Sequence, residues 1–136
     1  MHHVDINYLA VIVCAIISLV IGALWYGPLF GKEWMKLVGK TEEELKKDFK
    51  PAKTFSLATV AHFFVALIIS YFIDLFNAQT VVDGLRIALT AWVGFVAAPF
   101  YVNYLFERKP IKLLVINAGY NLVLLILFGI ILVSWQ

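Results

Sequence analysis

A chain of 136 residues that is 62% apolar and only 15% charged, with a mean hydropathy of +0.89 and a net charge of +2, is unlike a soluble domain, which runs about 45–50% apolar and about 25% charged. That surplus excludes an ordinary water-soluble fold, and the length leaves room for one domain at most. The basic residues fall in short loops, which excludes a nucleic-acid-binding domain, and the single cysteine, Cys14, excludes an intrachain disulfide or a thiolate zinc cluster.

The first apolar stretch predicts a membrane helix over residues 7–29. Met1-His2-His3-Val4-Asp5 contains no Lys or Arg, and the run from Ile6 ends in Trp25-Tyr26 rather than at a small-residue cleavage site. It therefore reads as a retained helix and not as a secretory signal. His2 and His3 beside Asp5 lack the spacing of a metal site. Ala10, Cys14, Ser18 and Gly22 recur at every fourth position. Such a stripe of small residues lets another helix approach closely, within the chain or in a neighbouring subunit.

Residues 30–53 form the one sizeable polar connection, with Lys32, Lys36, Lys40, Lys46, Lys47, Lys50 and Lys53. Trp34, Leu37 and Val38 share a helical face, and Gly39 supplies a C-terminal stop. Thr41 with Glu44 fits a capping box for a second short helix, which Pro51 is expected to end. The segment reads either as an amphipathic element on anionic headgroups, at about 1 kcal/mol per basic residue near the surface, or as loop helices packed beneath the bundle.

A second span is expected over residues 54–76, with His62 as the one ionisable side chain well inside it. An ionisable group in lipid is a functional hypothesis by default, although a neutral imidazole needs only one donor and one acceptor. The third span, residues 83–106, opens with Asp83 and Arg86 paired at i, i+3. It carries a short Gly94–Ala98 stripe, a packing Trp92, and Pro99 one turn before Asn103. The fourth, residues 111–135, places Asn117 and Asn121 one turn apart. His62, Asn103, Asn117 and Asn121 thus make a candidate polar cavity or, equally, a set of interhelical hydrogen bonds at about 0.6 kcal/mol each.

Each span has the roughly 20 residues that cross a 30 Å core, and runs such as Leu122 to Phe128 do not alternate as strands would. The fold class expected is an all-α, four-helix polytopic membrane protein. The turn after the third span adds Arg108, Lys109 and Lys112, so ten of eleven basic residues lie on one side and only Arg86 on the other. This asymmetry predicts cytoplasmic loops and both termini outside.

For function, four helices enclose little room, so the expectation is a homo-oligomeric binding or permeation protein for a small molecule or ion, with helix 1 at the subunit contact. The alternative is a structural or regulatory subunit whose basic loop docks a partner or anionic lipid. Catalysis needs a nucleophile or base with an orienting group. His62 has no carboxylate in the membrane and Cys14 no predictable histidine, so an enzyme is not expected; nor is a cofactor.

The stretch from Gly22 to Lys36, with its Trp25, Tyr26, Pro28, Phe30 and Trp34, resembles the signature of a widespread family of small prokaryotic membrane proteins catalogued only as a domain of unknown function. Thr41–Glu44, Asn103–Arg108 and Ile116–Tyr120 fit the same family, and the resemblance spans essentially the whole chain. It implies the same four-helix layout in a prokaryotic cytoplasmic membrane, and no activity. Read physically, Trp25, Tyr26, Phe30 and Trp34 would anchor the end of helix 1 in the headgroup region, where aromatic belts form.

Overall fold

The structure, a computed structural model, describes residues 3–136; His2 lies outside the described residues. The chain is helical, with α1 at Tyr8–Leu24, α2 at Gly31–Val38, α3 at Glu42–Lys46, α4 at Pro51–Leu75, α5 at Val81–Trp92, α6 at Ala98–Glu107 and α7 at Ile111–Ser134. Two π-helical turns, Trp25–Leu29 and Val93–Ala97, extend α1 and join α5 to α6. Four continuous helical runs are long and apolar enough to cross a membrane: Tyr8–Leu29, Pro51–Leu75, Val81–Glu107 and Ile111–Ser134.

Both π turns lie at prolines. Pro28 and Pro99 have no N–H to donate to the preceding turn, and the backbone widens there instead of breaking. Phe30 N–H donates to the Trp25 carbonyl at 2.8 Å, a five-residue step. Pro51, expected to end a loop helix, instead opens α4 at its first turn, where the missing N–H costs nothing. In the loop, Gly39 ends α2 at φ +77°. Thr41 caps α3 by accepting from Glu44 N–H. Its hydroxyl in turn donates to the Glu44 carboxylate at 3.2 Å, so the reciprocal backbone contact of a full capping box is not what Glu44 makes. The full box sits at α5 instead, where the Asp83 carboxylate accepts from the backbone of Thr80 and Gln79, each at 3.1 Å.

α7 is the hub, packing on α1, α4, α5 and α6. The termini of the chain meet at the end of the bundle opposite the basic loops. There Asn7 donates to the Trp135 carbonyl and Gln136 to that of Ala78. The core at this terminal end is tightly packed: Val11, Cys14, Ile73, Leu124 and Phe128 are all buried. Ala10, Cys14 and Ser18 of the small-residue stripe are buried inside the chain, and Gly22 lies under Tyr120. The stripe is spent on the chain's own packing, so it does not serve as a subunit contact. Gly94 has open space around it, and Ala98 is exposed.

A tight backbone approach between two spans is one the sequence pattern did not single out. A Cβ at Gly84 would stand 2.5 Å from the Gly129 carbonyl oxygen, and one at Gly129 would stand 2.6 Å from that of Gly84. Without a hydrophobic force between helices in lipid, such contact is what holds α5 on α7.

Candidate functional site

The polar groups of the bundle gather near the basic end, around α7. Trp25 leaves α1 on the π turn and its indole N–H donates to the Ile116 carbonyl at 2.9 Å. Its ring can lie there because position 119 is glycine: a Cβ at Gly119 would meet the indole at 3.2 Å. Trp92, from the other side, donates to the Ala118 carbonyl at 2.8 Å. Tyr26 donates to Asn117 Oδ1 at 2.7 Å, and Asn117 Nδ2 donates to the Tyr104 hydroxyl at 2.7 Å. One asparagine thus ties the end of the first span to α6 through both ends of its amide. Tyr120, one turn further along α7, donates to the Ser18 carbonyl at 2.9 Å.

The signature aromatics form a knot in which Trp25, Tyr26 and Trp34 are half-buried and Phe30 stays exposed. Phe30 packs against Trp25 with ring centres 4.6 Å apart and planes tilted by 47°, Trp34 meets Tyr26 edge-on at 5.8 Å, and Tyr26 meets Tyr120 edge-on at 5.3 Å. Edge-to-face pairs of this kind are favoured by the ring quadrupoles. Pro28 stands exposed within the π turn that creates the geometry. At the rim, Lys109 Nζ sits 5.2 Å over the Tyr104 ring and pairs with Glu107 at 2.6 Å.

Of the four residues expected to frame a polar cavity, the structure joins only some. Asn117 is the centre of the hydrogen-bond chain. Asn121 turns its amide back onto the Asn117 carbonyl at 3.0 Å. Asn103 is exposed on α6, and its neighbour Tyr104 reaches Asn117 in its place. His62 packs edge-on against Tyr120, ring centres 6.0 Å apart, and its Nδ1 is buried with no hydrogen-bond partner.

His62 also lines a cavity of about 390 Å³ between the end of the first span and the start of α4, with Ser18, Gly22, Tyr26, Phe55 and Tyr120 around it. The volume falls in the range of small-molecule sites, about 300–1,000 Å³. Ala23, Gly27 and Phe55 form its exposed rim, so the cavity opens on the side of the bundle. Toward the terminal end the way is closed by the packed apolar core. Among the described residues no three His, Cys, Asp or Glu side chains come together as a metal site.

Sequence reasoning named His62 and Asn117 but missed Tyr26, Tyr104 and Tyr120 as their partners. The available signal was the Asn117–Tyr120 spacing, which at i, i+3 puts amide and phenol on one face, beside a glycine that admits an indole. No curated protein and no solved structure matches the chain. Residues 9–133, nearly its whole length, match a family described as proteins of unknown function, DUF1761, and the chain belongs to that family.

Proposed function

We propose that this protein is a membrane-embedded binding protein for a small, largely apolar ring compound that donates one hydrogen bond, held in the His62 cavity. The observation that carries the reading is a histidine in lipid with a buried, unpartnered nitrogen, lining a cavity otherwise built of aromatic and small side chains. A buried polar group is costly when left unpaired; a turn of the His62 ring that brings Nδ1 to the cavity would let a ligand bond it and remove that cost. Tyr26 and Tyr120 are held by their own bonds to Asn117 and Ser18, which fixes two walls before any ligand enters. The packed core beyond the cavity supports binding rather than passage across the membrane.

The same reading places the basic loops in the cytoplasm of a prokaryotic cell. It rests on the ten-to-one basic asymmetry and the positive-inside tendency, so the cavity would open to the inner leaflet.

The test compares 1-naphthol, which can donate a hydrogen bond, with naphthalene, which cannot. Trp25 lies beside the cavity wall at Tyr120, ring centres 6.5 Å apart, so its fluorescence reports occupancy in detergent or nanodiscs. Saturable quenching by 1-naphthol at least tenfold tighter than by naphthalene is expected, about 1.4 kcal/mol, with the difference lost in His62→Ala. Non-saturating quenching, or equal affinities for the two compounds in the unaltered protein, refutes the reading.

A further inference from the structure

A second site lies at the opposite end of the bundle, on the outer face of α4 and α5. An apolar groove of about 520 Å³ runs between these helices, walled by Phe72, Phe76, Ile87, Gly94 and Phe95, and Arg86 stands in its lining. Directly beside it is a more polar pocket of about 210 Å³ lined by Asn77, Asp83 and again Arg86. The two share Phe76, Arg86 and Ile87, so groove and pocket are one continuous, amphipathic depression.

Its dimensions match one bilayer leaflet. Arg86 lies five residues into α5, about 8 Å along the axis, and Phe95 lies about 14 Å further. That second distance is close to half of a roughly 30 Å hydrocarbon core. The groove is open at Gly94, where nothing stands within 4 Å of where its Cβ would be; the π turn Val93–Ala97 presents this glycine outward.

The pocket carries one positive and one negative side chain. Arg86 is exposed, and among the described residues it is the one Lys or Arg at this end of the bundle. The two backbone bonds to Asp83 both fall on Oδ2, so Oδ1 faces no competing backbone donor. Asn77 Oδ1 accepts from the Gln79 amide at 3.1 Å and holds a second acceptor at the rim. A guanidinium favours phosphate, with which its fork forms paired hydrogen bonds. A carboxylate with an amide oxygen favours a compact ammonium with N–H groups to donate.

We propose that this depression binds one phospholipid whose headgroup is zwitterionic with a primary ammonium, of the phosphatidylethanolamine class. Its phosphate sits on Arg86, its ammonium reaches Asp83 and Asn77, and an acyl chain lies in the groove from Phe76 to Phe95. The charge of the pocket decides among lipids. An anionic headgroup with no ammonium leaves Asp83 facing negative charge, and a trimethylated ammonium cannot donate to Asp83 or Asn77.

Native mass spectrometry of the purified full-length protein tests this, with dipalmitoyl phosphatidylethanolamine, phosphatidylcholine and phosphatidylglycerol titrated separately. One phosphatidylethanolamine is expected to bind at least tenfold tighter than either of the other two. Arg86→Gln should abolish that preference. Gly94→Leu, which fills open space and leaves the core untouched, should lower occupancy by every lipid, with circular dichroism confirming that both variants stay helical. Equal affinities, a preference for phosphatidylglycerol, retention of the preference in Arg86→Gln, or a lipid-free dimer that covers the groove would each overturn the proposal.

Discussion

The Gly84–Gly129 crossing allows the sharpest quantitative test of how this bundle is held together. In Gly84→Ala the new methyl would stand 2.5 Å from the Gly129 carbonyl oxygen and 2.9 Å from a Val133 methyl. Ordinary contact begins at 3.4 Å, so α5 and α7 must part by about 0.9 Å, the difference between 3.4 and 2.5 Å. The obstacle is backbone, which cannot swing aside as a side chain can. A gap of 0.5–1 Å forfeits about a quarter to a half of each van der Waals contact along the seam. Overpacking of this kind costs about 1–3 kcal/mol, partly offset by about 1 kcal/mol of improved helix propensity. Gly129→Ala meets the mirror-image obstacle at 2.6 Å and should cost a similar amount. Gly94→Ala, with nothing within 4 Å, is the control and should be neutral or stabilising. Reversible unfolding of each variant by sodium dodecyl sulfate titration in mixed micelles, followed by circular dichroism, measures the differences. Once one methyl has parted the helices the second adds little, so the double variant should cost clearly less than the sum of the singles. Additive costs, or single variants within about 0.5 kcal/mol of the Gly94→Ala control, would refute the seam as the main hold of α5 on α7.

Asn117→Leu leaves the Tyr26 and Tyr104 hydroxyls without their shared partner and should cost about 1 kcal/mol, two contacts at about 0.6 each; Tyr104→Phe should cost about half, in the same unfolding assay. Gly39→Ala forces a side chain into φ +77° with no steric contact to blame. It should weaken the end of α2 by about 1 kcal/mol, read as faster proteolytic nicking between α2 and α3. The Glu42 carboxylate is hydrogen-bonded to Lys46 at 2.9 Å, and this bond together with the ammonium charge holds its pKa below the ordinary glutamate value. The folded pKa is depressed, so the pair supports α3 above the unfolded value and loses that support as pH falls through the folded one. The carboxyl resonance of Glu42 should therefore titrate lower than that of a free glutamate, and Lys46→Ala should return it to the ordinary value.

Periodicity made the spans legible because lipid allows only one backbone solution at that length. Residues 30–53 were legible for a different reason, since Gly39 and Thr41 are local signals that need no tertiary partner. What the sequence could not disclose was which face of each helix turns inward. Every face is apolar, so the hydrophobic contrast that orients a soluble helix is missing. Asn103 and Tyr104 show the consequence: adjacent on α6, either could have met Asn117, and only the rotation of the helix sends the tyrosine in. The stripe on α1 and the pair Gly94–Ala98 looked alike, yet the first is buried in the chain and the second faces outward. The working glycine pair, Gly84 and Gly129, sits on two different helices, where no spacing rule within one segment can reveal it.

The two proline-linked π turns explain why the polar chemistry is where it is. A regular helix through Trp25–Leu29 would rotate each later side chain by about 100° per residue without interruption. The wider turn inserts extra backbone, and the indole and phenol of Trp25 and Tyr26 both come to bear on α7, one on the Ile116 carbonyl and the other on Asn117. The second π turn lies at Val93–Ala97, directly after Trp92. It leaves Trp92 bonded inward to Ala118 while Gly94 and Phe95 stand in the outer groove. π turns of a single repeat recur at functional sites, and here each one borders a cavity: the His62 cavity at the basic end and the Arg86 groove at the other. The buried core of Val11, Cys14, Leu124 and Phe128 closes the His62 cavity toward the terminal end of the bundle.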